Sequence, residues 1–127
     1  MKTALIVEDS LTDRAMLTRY LEQLGIRVTS TNSSEEASIV LQQALPDVVF
    51  LDVVLPGQSG FEFCQNLKTS ASTKDIPIVI CSSKGTAADK LWGSMLGADM
   101  YLAKPINQQQ IEQTIQQLVI GNSRANR

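Results

Sequence analysis

The sequence predicts an α/β domain, a doubly wound sheet of five parallel strands with helices on both faces. Three observations point there. Short apolar runs alternate five times with segments of helical periodicity, the pattern of right-handed strand–helix–strand crossovers. Val48-Val49-Phe50-Leu51 is apolar throughout, which suits a strand covered on both faces. The chain is 127 residues long, which suits one domain whose core needs no disulfide or metal staple.

The elements follow in order. Residues 4–7 are the first strand, ending at Glu8-Asp9. Ser10 is placed to cap the first helix, with Asp13 reaching back from its first turn. Leu17, Tyr20, Leu21 and Leu24 recur at helical spacing, and Gly25 closes the helix. Residues 26–31 are β-branched but more polar, and read as a strand near an edge. Ser33-x-x-Glu36 opens the second helix as a capping box, and Ala37, Val40, Leu41 and Ala44 form its buried stripe. Pro46-Asp47 ends it, and the third strand, Val48 to Leu51, runs straight into Asp52.

Ser59-x-x-Glu62 opens the third helix, which turns Phe63, Cys64 and Leu67 inward. A polar loop over residues 69–75 leads to the fourth strand at 76–81, ending at Ser82-Ser83. Thr86-x-x-Asp89 caps the fourth helix, which runs through Leu91, Trp92, Met95 and Leu96 to Gly97. Trp92 reads as a core or half-buried packing residue there, ahead of a contact for a partner. Residues 99–103 are the fifth strand, ending at Lys104-Pro105. Asn107 caps the fifth helix, with Ile111, Ile115, Leu118 and Val119 as its stripe and its glutamines as a solvated face. Residues 1–120 are read as the domain, and 121–127 as a frayed tail.

Composition excludes several functions. A net charge of −2 leaves no electrostatic footprint for nucleic acid or an anionic membrane. With no signal-peptide pattern and no apolar stretch long enough to span a bilayer, the cytoplasm is the expected location. Cys64 and Cys81 lie in apolar contexts and read as buried free thiols. The chain has no histidine, which removes Ser-His-Asp and Cys-His catalysis and leaves too few ligands for zinc. Nor can the chain carry a phosphohistidine.

In an open parallel sheet the C-terminal strand ends share one rim, where chemistry is placed. The first strand brings Glu8 and Asp9 there, the third Asp52, the fourth Ser82 and the fifth Lys104. Singly, each has a bland reading: helix-start acids, an Asx-turn residue, a capping hydroxyl, a solvated lysine. Together they require four strands to end this way by coincidence. Like charges 4 Å apart also repel by about 4 kcal/mol at an effective dielectric near 20. One lysine cannot neutralise three acids, so either a carboxylate protonates or a cation binds. Oxygen ligands without His or Cys favour Mg²⁺, which takes one or two carboxylates and a phosphate oxygen. The rim therefore reads as a site for Mg²⁺ and a phosphoryl group, with Lys104 as the second positive contact.

Glu8-Asp9, Asp52 followed by Pro56 and Gly60, Ser82-Ser83 and Tyr101-x-x-Lys104-Pro105 resemble the receiver domain of bacterial two-component response regulators. The resemblance covers residues 4–119 in order and spacing. The lack of an attached DNA-binding or enzymatic domain resembles the stand-alone receivers of chemotaxis and pilus motility. It implies a flavodoxin-like sheet of order 2-1-3-4-5. It implies that Asp52 is the phosphoacceptor, and that Mg²⁺ is held by Asp9, Asp52, the backbone carbonyl of Val54 and, through water, Glu8. Lys104 and Ser82 would contact phosphoryl oxygens, Tyr101 would turn inward as a switch residue, and the Lys104-Pro105 peptide would be cis. The implied donor is a phosphohistidine on a partner kinase. The implied readout is a change of the helix 4–strand 5–helix 5 face toward a downstream target protein. The protein would catalyse only its own phosphotransfer and dephosphorylation.

Four positions qualify the carry-over: Ser82 where threonine is commoner, Glu8 where aspartate is commoner, Val54 two past the acceptor and Lys84 two past the switch serine. Val54 cannot orient a water as an amide could, which predicts slow self-dephosphorylation. Alternatives are a phosphate sink, a constitutive interaction module, a haloacid-dehalogenase-like phosphatase and a flavin-binding module. The phosphatase needs an aspartate where Val54 stands, and Glu8-Asp9 would repel a flavin phosphate.

Overall fold

The computed structural model describes the backbone of residues 1–125 and the side chains through Val119. Five strands, β1 (Thr3–Val7), β2 (Arg27–Thr31), β3 (Val48–Leu51), β4 (Ile78–Ser82) and β5 (Met100–Ala103), form one sheet. All pairings are parallel, in the order β2-β1-β3-β4-β5. Between them run α1 (Leu11–Gln23), α2 (Ser34–Gln43), α3 (Gly60–Thr69), α4 (Ala87–Met95) and, after β5, α5 (Gln108–Ala125). The doubly wound sheet, its strand order and the edge position of β2 are as the sequence and the resemblance predict.

Alternation along the strands builds two cores, because successive side chains of a strand point to opposite faces. Ala4, Ile6, Val48, Phe50, Val79 and Cys81 face one layer with Leu17 and Leu21 of α1 and Ile111 of α5. Leu5, Val7, Val49, Leu51 and Ile78 face the other with Ala37 of α2 and Phe63, Cys64 and Leu67 of α3. Every residue of β3 is fully buried, which explains why it carries no polar side chain. Phe50 at its centre is 0% exposed, and truncating it to alanine would cost about 3–5 kcal/mol.

Several local expectations change. β4 starts at Ile78 rather than at 76, since Pro77 has no N–H for the ladder, although its carbonyl still accepts from Val49 N at 2.9 Å. Ala44 lies outside the buried stripe of α2, and Val119 is 39% exposed on α5. α4 buries only Gly93, leaving Leu91, Trp92 and Met95 half-exposed or more. Trp92 is half-buried, which the reading of a core or half-buried packing residue allows. The helix α5 runs to Ala125, and residues 126–127 of the expected tail lie outside the described residues.

Candidate functional site

The rim residues leave the sheet while their backbones remain tied to it. Glu8 N donates to Thr31 O at 3.0 Å, Asp52 N to Val7 O at 3.0 Å and Lys104 N to Ser82 O at 2.9 Å. Each strand is therefore held to its neighbour up to the residue whose side chain enters the site. Gly60 lets the next segment close over Asp52. A Cβ at Gly60 would lie 2.0 Å from the Asp52 carbonyl oxygen, so only glycine permits α3 to start there.

Lys104 is the hub. Its Nζ donates to Glu8 Oε1 at 2.5 Å, Asp13 Oδ2 at 2.8 Å and Asp52 Oδ2 at 2.8 Å. An ammonium has three protons, so these contacts use all of them. The other oxygen of Asp52 accepts from Val54 N at 3.0 Å, and the other oxygen of Glu8 from Ser10 N at 3.1 Å. Arg14 donates to the Glu8 carbonyl at 3.1 Å, holding the β1–α1 turn. The predicted roles of Ser10 and Asp13 separate here. Ser10 Oγ caps α1 by accepting from Asp13 N at 3.3 Å, but the Asp13 carboxylate reaches Lys104 instead of the Ser10 backbone.

Burial and charge oppose each other in this cluster. The side chains of Glu8 and Asp52 are 2% and 7% exposed, against 37% for Asp13. Burial pushes the Glu8 carboxyl above its ordinary value, and the hydrogen bond from Lys104 only partly offsets this. Burial also disfavours the Lys104 ammonium, but its bonds to Asp13, Asp52 and Glu8 outweigh that and hold it above the ordinary lysine range.

Oxygens of Glu8, Asp9 and Asp52 lie within 4.8 Å of one another, while the ion pairs of Lys104 leave Asp9 out. A compact set of hard anionic oxygens fits Mg²⁺ and offers nothing to a soft metal. The acidic cluster and its lysine are thus where the sequence predicts them.

Ser82 is fully buried at the end of β4 beside β5. Its hydroxyl accepts from Lys84 N at 3.2 Å, while the Tyr101 hydroxyl donates to the Lys84 carbonyl. The two expected switch residues are joined through one residue of the β4–α4 loop. Tyr101 can lie there because α4 presents Gly93 to its ring, where a Cβ would come within 3.0 Å. Burial raises the Tyr101 phenol above its ordinary pKa, and the nearby Asp89 adds to the shift. Lys104-Pro105 is cis, as the resemblance implies.

Sequence reasoning missed Asp13 as a site residue. The available signal was its position in the first turn of a helix that starts at the same rim as the other acids.

The fold and this rim define the class. Residues 4–116 match the response regulator receiver domain, and the chain belongs to that family. It is 36% identical to protein PilH of Pseudomonas aeruginosa over 121 residues, 95% of this chain and all of that protein. It is also 36% identical to the phosphate regulon regulator PhoB of the same species over 110 residues. That match covers 87% of this chain and 48% of PhoB. Among solved structures, the chemotaxis response regulator CheY4 of Vibrio cholerae superposes with a TM-score of 0.86 at 30% identity. The superposition covers 93% of this chain and 98% of that one. The chain is therefore a signalling domain rather than a conventional enzyme. Among the described residues no helix is long and apolar enough to cross a membrane.

Proposed function

We propose that this protein is a phosphoacceptor switch of a two-component pathway, taking a phosphoryl group onto Asp52 from a partner histidine kinase. The observation that carries the reading is Lys104 Nζ at 2.8 Å from Asp52 Oδ2, beside the clustered oxygens of Glu8, Asp9 and Asp52. An Asp52 oxygen would form the new O–P bond as the P–N bond to the donor imidazole breaks. Glu8, Asp9, Asp52 and the Val54 carbonyl would hold Mg²⁺, which neutralises phosphoryl charge when bound. Lys104 would shift toward the phosphoryl oxygens and hold them by charge-assisted hydrogen bonds. Catalysis is then positioning and charge compensation, which needs no histidine in this chain.

The output would follow from Ser82 and Tyr101. A hydrogen bond from the Ser82 hydroxyl to a phosphoryl oxygen would redirect the β4–α4 loop, and Tyr101 is tied to that loop through Lys84. Moving a state from 1% to 99% populated takes about 5.5 kcal/mol of differential interaction. A phosphoryl group bonded to Lys104 and Ser82 can supply a large part of it. The half-exposed Leu91, Trp92 and Met95 on α4 offer an apolar surface for a downstream protein. The likeness to the chemotaxis response regulator CheY4 supports a role in chemotaxis, and a motility role in the cytoplasm is part of the same proposal. Val54 argues against a phosphatase of the two-aspartate type, since it sets an isopropyl group where the second acid would stand.

The test is incubation with Mg²⁺ and acetyl phosphate, read by intact mass, and with beryllofluoride, read by Trp92 fluorescence. Wild-type protein gains one phosphoryl mass and Asp52→Asn does not. Equal modification of both would overturn the assignment.

A further inference from the structure

Asp13 is the acid that neither the metal cluster nor the phosphoryl chemistry uses, yet it takes one of the three hydrogen bonds of Lys104. It reaches the site from α1, whose first turn is fixed by the Ser10 cap. It also lines, with Met16, Tyr20, Pro105 and Ile106, a notch of about 100 Å³ beside Lys104, so the pair lies at the open flank of the site. Resting on the function proposed above, we propose that Asp13 is a positioning residue that restrains the switch. It occupies Lys104 in the unmodified protein and opposes the arrival of a phosphoryl group.

Two physical effects have the same sign. The first is competition. All three ammonium protons are engaged in the resting protein, so a phosphoryl oxygen that uses one must displace a carboxylate. Asp13 is the most exposed of the three partners and the one most readily returned to water. The second is repulsion. Asp13 and Asp52 oxygens share one nitrogen at 2.8 Å each, so a phosphoryl group on Asp52 would bring its charge within a few ångströms of Asp13. Removing the Asp13 charge relieves both. It does not release Lys104, because Glu8 and Asp52 still hold the ammonium.

The test titrates beryllofluoride, a phosphoryl mimic, into wild type, Asp13→Asn and Asp13→Glu at saturating Mg²⁺, with Trp92 fluorescence as the signal. The half-saturation concentration for Asp13→Asn is expected to fall on the order of tenfold, the effect of one nearby charge in a half-wet site. Asp13→Glu stays near wild type. A helix-start acid with only a structural role would change the melting temperature and leave this titration unmoved. Unchanged or weaker binding by Asp13→Asn overturns the proposal. Failure of the wild type itself to respond to beryllofluoride overturns instead the function on which it rests. Should Asp13→Asn fail to fold, Asp13→Gln makes the same charge change with a residue that suits a helix interior.

Discussion

Lys104 and Asp52 are 52 positions apart in the chain and meet at 2.8 Å, inside a ring of carboxylates that the same ammonium bridges. The contact has two consequences that can be separated. In the resting protein, Lys104 neutralises charges that would otherwise repel. In the modified protein it would bind the phosphoryl oxygens. Lys104→Met removes the cation and leaves Glu8 and Asp52 buried without it. The expected loss is about 3 kcal/mol in Mg²⁺-free buffer, the usual cost of stripping one partner from a buried ion pair. Added Mg²⁺ should recover part of that stability, because a divalent cation answers the same repulsion. Urea melts with and without Mg²⁺ measure both numbers, and a variant as stable as wild type in chelator would contradict the hub role.

Asp9 behaves oppositely. It is exposed and lies in the acidic cluster, outside the ion pairs of Lys104. Neutralising it as Asp9→Asn should raise stability without metal by about 0.5–1 kcal/mol, in line with removing a surface repulsion. The same change should weaken Mg²⁺ binding at least tenfold, since a hard divalent ion loses one of few charged ligands. A Mg²⁺ titration and a thermal melt on one sample would show the opposed signs.

The rim was legible because it depends on topology more than on side-chain detail. Once five parallel strands are recognised, Glu8, Asp9, Asp52, Ser82 and Lys104 must share an edge whatever the loops do. What sequence could not reach were contests between partners. Asp13 sits where a capping box would place it, three residues from Ser10, but a charged ammonium 91 positions away makes the stronger bond. The Ser10 N–H is meanwhile taken by Glu8. In α2 the same contest ends differently: Ser33 Oγ caps Glu36 N at 3.1 Å, yet Glu36 Oε1 turns to Asn32 N at 3.3 Å. In α3, Ser59 Oγ caps Phe61 N at 3.2 Å. Helical spacing in α4 likewise shows apolar residues without showing which face meets the sheet. The buried position is Gly93, chosen by the Tyr101 ring rather than by hydrophobicity.

Away from the rim, Asp47 clamps the chain start to β3. Its Oδ2 accepts from Lys2 N at 2.8 Å and Thr3 N at 3.0 Å. The Lys2 N–H leads in holding this carboxyl below its ordinary value of 3.8, and the Thr3 N–H adds to it. A depressed folded pKa means that the ionised form is favoured by folding. Its contribution is present above the unfolded value and disappears as pH falls through the folded one. The group is largely exposed, so solvent screening limits the effect, and Asp47→Ala should cost about 0.5–1 kcal/mol at pH 7. The gap between wild type and variant should shrink as pH drops below 3.8. Paired melts across that range decide it, and a gap that holds constant into strong acid would rule the clamp out as its source.

With Asp52 as the proposed phosphoacceptor, Val54 would set how long the modified state lasts. Its N–H is bonded to Asp52 Oδ1 at 3.0 Å, so its backbone is fixed beside that carboxylate, while its side chain stands 50% exposed. Hydrolysis of an aspartyl phosphate needs a water held in line with the O–P bond, and holding it takes a donor or acceptor on a nearby side chain. An isopropyl group offers neither. Phosphoprotein made with acetyl phosphate should therefore persist for minutes or longer in Mg²⁺ buffer after the donor is removed. Val54→Asn supplies an amide at the same backbone position and should shorten that lifetime on the order of tenfold, the scale of one positioning contact. Val54→Ala opens space without adding a polar atom, and should leave the lifetime within a factor of about three of wild type. Intact-mass decay curves for the three proteins distinguish the outcomes. Decay of the wild type within seconds, or equal acceleration by alanine and asparagine, would mean that water access rather than water orientation controls the clock.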